Sequence, residues 1–270
     1  MVKKRVVITG LGVVAPNGVG VAAFSKAIQL GLSGIQHDSE LERLQFSCQI
    51  AGKPIISEAM KRFYFTELEL RNFNANGILY GVMAGMEAWK DAGLSLEINE
   101  NPDWDSGTIF GSGTSGIDKF RESIYKIDDF QTKRLGSTVV AQTMNSGVSA
   151  YLAGKLGLGN QVTTNSSACA TGTESILMGY DRIISGQAKR MLVGSTSDSG
   201  PYIWAGFDAM KVCTYKHNQS PETGSRPMSA SASGFVPGSG AGAFVLEELE
   251  TALARKATIY AEVLGGNTNS

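Results

Sequence analysis

Between Gln161 and Gly172 the chain reads QVTTN and then SSACATG, and this stretch restricts the fold more than any other. Val162, Thr163 and Thr164 are β-branched and favour an extended backbone. Beyond Gly172, apolar residues recur at three- and four-residue steps through Ile176, Leu177, Tyr180, Ile183 and Ile184, the period of a helix with one buried face. Cys169 is therefore predicted at a strand-to-helix turn. The first backbone N–H groups of a helix lack intrahelical partners, and with the helix dipole they stabilise an anion. For cysteine that anion is the thiolate, the nucleophilic form. Ala168, Ala170 and Gly172 leave room for an acyl group to approach the sulfur closely. The competing reading is a buried small hydrophobe, the commoner fate of a single cysteine. The surrounding pattern of strand, small-residue turn and helix favours the nucleophile.

The remainder alternates between strand and helix signals. Val6 to Ile8 reads as a buried strand ending at Thr9–Gly12, and a helix follows over 21–30. Positions 35–66 carry no sustained period and read as irregular connections with short strands. Ile78, Leu79, Val82, Met83, Met86 and Trp89 form a helical stripe ending at Gly93, better explained as core than as a cofactor contact. Thr108 to Phe110 reads as a strand, 139–156 as one helix, Met191 to Val193 as a strand and 203–210 as a helix. The segment 215–240 is turn-rich, and its MSASASG run alone would pass for a flexible linker. A strand over 241–246, a helix over 247–256 and a strand over 259–264 close the chain. This alternation gives an α/β class with a mostly parallel, helix-covered sheet.

Composition excludes several functions. The 270 residues are 42% hydrophobic and 18% charged, enough for one sizeable core or two packed halves. Basic and acidic residues number 24 and 25, and no Lys or Arg run suggests a nucleic-acid face. Cys48, Cys169 and Cys213 lie far apart without metal-ligand spacing, so neither a disulfide framework nor a metal site is indicated and a reducing cytoplasm fits best. The apolar run after MVKKR is broken at Gly10 and Gly12 and stopped at Pro16, too short for a signal segment or a membrane span. The rival to an acyl-transfer reading is dinucleotide binding, because Gly111, Gly113 and Gly116 form GxGxxG after a strand. Against it, Asp128 and Asp129 do not end a second strand, where a ribose-binding acid belongs. In GLGVVAP, a second near-match, Pro16, Asn17 and Gly18 turn the chain where a helix is needed.

Five segments carry a resemblance. RVVITGLGVVAPNG, GSGTSG, ACATG, RPMSASASGFVPGSGAGAFVLEE and TIYAEVLG run in the order found in β-ketoacyl-[acyl carrier protein] synthases, condensing enzymes of fatty-acid and polyketide synthesis, and the chain resembles their N-terminal portion. The resemblance implies a thiolase-like layered α-β-α fold, with residues 1–255 as the half carrying the nucleophile and 256–270 as the first strand of a C-terminal half. It implies that Cys169 accepts an acyl group, with its own N–H in the oxyanion hole, before decarboxylative condensation with a malonyl carrier. It places Thr114 and Phe207 in the acyl pocket and Lys211 at the docking face for an acyl carrier protein with phosphopantetheine-linked groups. No cofactor, nucleic acid or membrane is implied. A homodimer is, through self-pairing of the strand 161–165 across a two-fold axis.

The departures from the family are specific. Decarboxylation in the family uses two histidines and a lysine of the C-terminal half, and the chain's His37 and His217 lie in neither motif and read as surface or loop residues. The expectation is that the chain carries the nucleophile without the decarboxylation machinery, as a fragment or with the remainder on another chain. Where the family usually reads RPFDxxRDGFVxGEGAG, Met228, Ser229, Ala232, Ser233 and Ser239 remove acids and an arginine. This keeps open an alternative function as a non-catalytic, chain-length-factor-like partner or scaffold, against which the presence of Cys169 argues.

Overall fold

The first strand shows how the fold is assembled. In the computed structural model, which describes residues 4–269, β1 (Val6–Ala15) does not stop at Thr9 but continues through Gly10 and Gly12. The helix Asn76–Asp91 lies across it so closely that a Cβ on Gly10 would stand 2.1 Å from the Ala88 carbonyl oxygen, and one on Gly12 would stand 1.9 Å from that of Ala84. These glycines mark helix–strand contact and not a chain reversal. The reversal comes at Pro16 and Asn17, which join β1 to β2 (Gly18–Val19).

One seven-stranded sheet carries the chain. β5 (Ser106–Ser112), β6 (Val162–Thr163), β7 (Arg190–Ser197) and β8 (Gly240–Glu248) complete the spatial order β2-β1-β8-β7-β5-β6. A small separate ladder joins β3 (Ile35–His37) to β4 (Ile50–Gly52), and β9 (Ala261–Val263) pairs with Val6–Ile8 of β1. The expected mostly parallel sheet is instead mixed: β5–β6 and β5–β7 are parallel, whereas β7–β8 and every pairing of β1 are antiparallel. The cause is the connection between β7 and β8, which returns the chain beside β7 without a crossover back to the same end.

Both faces of the sheet are covered, giving helix, sheet and helix layers. Phe110, Leu192 and Val245 share a core with the helix Asn76–Asp91 and with Val148 and Leu152 of a neighbouring helix. Their alternates Ile109, Val193 and Leu246 face Tyr180 and Ile183 of the helix Thr171–Ile184. Burial on both faces is why these strands read as continuous apolar runs.

Several local expectations change. The helix over 139–156 is two helices, Val139–Thr143 and Gly147–Leu156, because Met144 turns extended. The irregular 35–66 segment contains helices Ser39–Arg43 and Glu58–Tyr64, capped by the side chains of Asp38 and Ser57. The linker-like 215–240 segment is anchored: Phe235 N–H donates to Val212 O at 2.8 Å, Gly52 N–H donates to Pro237 O at 2.8 Å, and the Thr214 and Ser233 hydroxyls meet at 2.6 Å. The last strand is three residues long and its preceding helix spans Leu249–Ala254, both shorter than their sequence patterns.

Candidate active site

Parallel strands deliver their C-terminal ends, and antiparallel β8 its N-terminal end, to one edge of the sheet. There Gly113 and Thr114 follow β5, Ser195 to Ser197 end β7, and Gly238 to Gly242 lead into β8, lining a cleft of about 1090 Å³. Loops at strand ends supply side chains on a rigid frame, the usual position of a site in an α/β sheet.

Cys169 opens into this cleft and is exposed. Its turn is tighter than a direct strand-to-helix passage. β6 stops at Thr163, and Ala168–Ala170 form one 3₁₀ turn before the helix Thr171–Ile184. Ala168 sits at φ 47°, a left-handed conformation that costs an alanine roughly 1–2 kcal/mol. Such strain persists only where neighbours over-determine it. Here Ser167 N–H donates to Thr171 Oγ1 at 2.9 Å, and the Thr171 hydroxyl donates to Ala168 O at 2.7 Å.

A second brace comes from the strand side. Asn165 Nδ2 donates to Thr171 O at 2.9 Å and to Glu174 Oε2 at 2.8 Å, and its Oδ1 accepts from Ser175 Oγ at 2.7 Å. Glu174 also accepts from the Ser167 hydroxyl, and that bond, followed by the one from Asn165, holds its carboxyl below the ordinary carboxylate range. Sequence reasoning passed over Asn165 and Glu174. The signal was available, since Thr171-Gly-Thr-Glu174 has capping-box spacing ahead of an apolar run.

The other candidates divide. Thr114 and Phe207 line the same cleft as Cys169, Phe207 from the helix Pro201–Ala209. Lys211 lies outside the cleft lining, exposed just past that helix, at φ 59°. His37 Nε2 lies 3.5 Å from Glu42 and His217 Nδ1 lies 3.3 Å from the Thr223 hydroxyl; neither lines the cleft. Ser239, where the family carries an acid, lines the cleft, and its N–H donates to Gly52 O at 3.0 Å.

The dinucleotide reading of the glycine loop conflicts with the geometry. A Cβ on Gly111 would stand 2.2 Å from Thr171 Cγ2, so this glycine serves contact with the nucleophile helix. Gly116, at φ 67°, caps the helix Ile117–Asp128, and the N–H groups of Gly116 and Ile117 are taken by the buried carboxylate of Asp198. The place where a pyrophosphate would be held is filled from within. Among the described residues no cluster of three or more His, Cys, Asp or Glu could hold a metal ion, and no helix is long and apolar enough to cross a membrane.

Comparison with known proteins identifies the family and the fold. Residues 3–252 match the family model of the beta-ketoacyl synthase N-terminal domain. The chain is 34% identical over 266 residues to 3-oxoacyl-[acyl-carrier-protein] synthase 2 of Vibrio cholerae, covering 98% of this chain and 63% of that protein. A crystal structure of a beta-ketoacyl synthase from Burkholderia phymatum superposes with TM-score 0.86 at 27% identity, covering 97% of this chain and 63% of the other. A type II polyketide acyl carrier protein in complex with its ketosynthase gives TM-score 0.81 at 26% identity, over 96% of this chain and 62% of that one. The chain thus spans a little under two thirds of the length of these relatives.

Proposed function

The chain belongs to the beta-ketoacyl synthase family, and on that premise we propose that it provides the acyl-accepting half of a 3-oxoacyl-[acyl carrier protein] synthase. The observation that carries the proposal is the exposed Cys169, held on a strained turn at the head of a helix and facing a cleft shared with Thr114 and Phe207. In the first step the Cys169 thiolate attacks a carrier thioester carbonyl, a new C–S bond forms, and the carrier thiolate leaves. Cys169 N–H has no hydrogen-bond partner among the described residues, which suits it to meet the oxyanion of that step. In the second step a malonyl carrier loses carbon dioxide, its carbanion attacks the acyl carbonyl, and Cys169 leaves as thiolate. The cleft described above offers no histidine for that step.

Thr114 and Phe207 are assigned to the acyl pocket and Lys211 to the docking face for an acidic carrier protein. Residues 1–255 form the nucleophile half, and 256–270 begin a second half. The working compartment is the cytoplasm. Association is assigned to β6, which is an unpaired sheet edge of two residues with Val162 41% exposed; such an edge is satisfied by pairing with its own copy. Light scattering of the folded chain at micromolar concentration is expected to give a dimer, and a clean monomer refutes that assignment.

The functional test is acyl transfer. Incubated with an acyl carrier protein bearing a medium-chain thioester, the chain is expected to gain one acyl mass on the peptide containing Cys169. Absence of uptake by a folded protein whose Cys169 still alkylates supports the non-catalytic partner reading instead.

A further inference from the structure

Asp198 follows the last residue of β7 and is only 4% exposed. One carboxylate oxygen accepts from Gly77 N–H in the first turn of the helix Asn76–Asp91, and the other accepts from Gly116 N–H at 2.5 Å, with Ile117 N–H also directed at the group. A single side chain therefore closes the N-termini of two helices, in both of which the backbone dipoles favour negative charge. One of those helices begins at the loop that forms a wall of the Cys169 cleft through Gly113, Thr114 and Ile117.

The loop's far end packs on the helix Val139–Thr143, where a Cβ on Gly116 would stand 1.9 Å from Gln142 O, but the acceptor for the Gly116 and Ile117 N–H groups is Asp198. The loop's near end is tied by Ser112 Oγ donating to Thr114 O at 2.7 Å, and by weaker contacts of Asn145 and Ser166 to Gly113 O. Ser115 is buried, yet its hydroxyl has no partner among the described residues. The site is also shaped around the carboxylate, since a Cβ on Gly77 would stand 2.4 Å from Asp198 Oδ1. Two residues earlier, within β7, Thr196 Oγ1 donates to Gly77 O at 2.7 Å and lies 3.2 Å from Gly240 O, so Gly240 in the opposite wall of the cleft is tied to the same helix start.

We propose that Asp198 is a positioning residue for acyl-chain selection: by anchoring Gly116 and Ile117 to β7, it fixes how far the Thr114 wall stands from Cys169. The inference rests on the acyl-pocket reading of the cleft. It concerns the wall and not the nucleophile, so small electrophiles reach Cys169 regardless of Asp198, whereas tailed ones depend on it.

The test compares iodoacetamide with N-octyl iodoacetamide, which carry the same reactive group with and without an acyl-like tail. Their labelling rates at Cys169 are measured by peptide mass mapping, normalised to a small free thiol. The wild type is expected to favour the octyl probe, and Asp198→Asn to lower that preference by about tenfold with the iodoacetamide rate unchanged, as a misplaced wall demands. Ser199→Ala serves as the control for general loosening. It removes contacts to Asn76 and Tyr80 in the same region without touching the loop, and is expected to lower Tm and leave the preference intact. If circular dichroism shows Asp198→Asn unfolded, Asp198→Ser, which leaves space for a water in place of the carboxylate, is read instead. An unchanged preference in a folded Asp198 variant, with the wild-type preference present, overturns this proposal alone. A wild type without any preference for the octyl probe overturns both it and the acyl-pocket reading.

Discussion

Cys169 and the pair Cys48 and Cys213 are the same side chain in opposite surroundings. Cys169 stands exposed on a strained turn above a cleft, whereas Cys48 and Cys213, at 0% and 5% exposure, share a small apolar cluster with Ile50. Burial pushes the Cys48 thiol up, and it pushes Cys213 up to about 11, with the neighbouring Cys48 and Asp208 adding to the effect. One helix serves both regions. Pro201–Ala209 presents Phe207 to the cleft, while the next residue, Asp208, accepts from Ser47 N–H at 2.9 Å and Cys48 N–H at 3.0 Å. The contrast teaches that a cysteine's role follows from where the backbone puts it, since all three are free thiols and only their burial differs.

The comparison breaks most completely by deleting one side. Cys169→Ser is expected to abolish acyl uptake from a carrier thioester, a loss of about a thousandfold or more, since the nucleophile itself is removed. Tm should not change, because the side chain is exposed. Cys48→Ser and Cys213→Ser should do the reverse, keeping uptake and lowering stability by roughly 1–3 kcal/mol through burial of a hydroxyl.

A smaller effect sharpens the buried side. Asp208→Ala leaves the N–H groups of Ser47 and Cys48 without their acceptor, which costs about 1–3 kcal/mol and should raise the labelling rate of Cys48 by about tenfold. Labelling of Cys169 serves as the internal reference. At the exposed side, Ala168→Gly relieves the left-handed strain and is expected to raise stability by about 1 kcal/mol. It should also slow acyl uptake, because the turn is then less firmly held.

The smallest effect is in pH. Cys213 holds its proton to about 11 in the folded protein, against an ordinary thiol value of 9.0. The folded state therefore binds a proton more tightly than the unfolded chain. Its stabilising effect is complete below the unfolded value and is lost as pH rises from 9 towards 11. Tm should fall over that window, and Cys213→Ala should flatten the fall; an unchanged slope contradicts the assignment.

Much of this was legible in the sequence where the signal is local. The apolar period of Ile78 to Trp89 and the β-branched run before Cys169 name their own structures, because burial of one face repeats along the chain. Gly10 and Gly12 read in sequence as the end of the first strand, because their reason lies in a helix more than seventy residues onward, whose backbone needs the space. Met144 gave no local warning of the break between two helices, which comes where its backbone turns extended. Asp198 was invisible for the same reason as the glycines, since its partners Gly77 and Gly116 are 121 and 82 residues away in sequence. Glu174 was readable from its spacing, although it accepts from Ser167 and Asn165 and not from the cap that the spacing alone suggests.

Of the three thiols, Cys169 is the one that the fold presents for reaction. Brief iodoacetamide treatment of the folded chain at neutral pH, followed by peptide mass mapping of all three cysteines, tests this directly. Cys169 is expected to be labelled at least about a hundredfold faster than Cys48 and Cys213, whose reaction waits on local opening, and the three rates should converge in denaturant. Equal labelling of the three thiols in the folded protein, or prior labelling of either buried one, contradicts it.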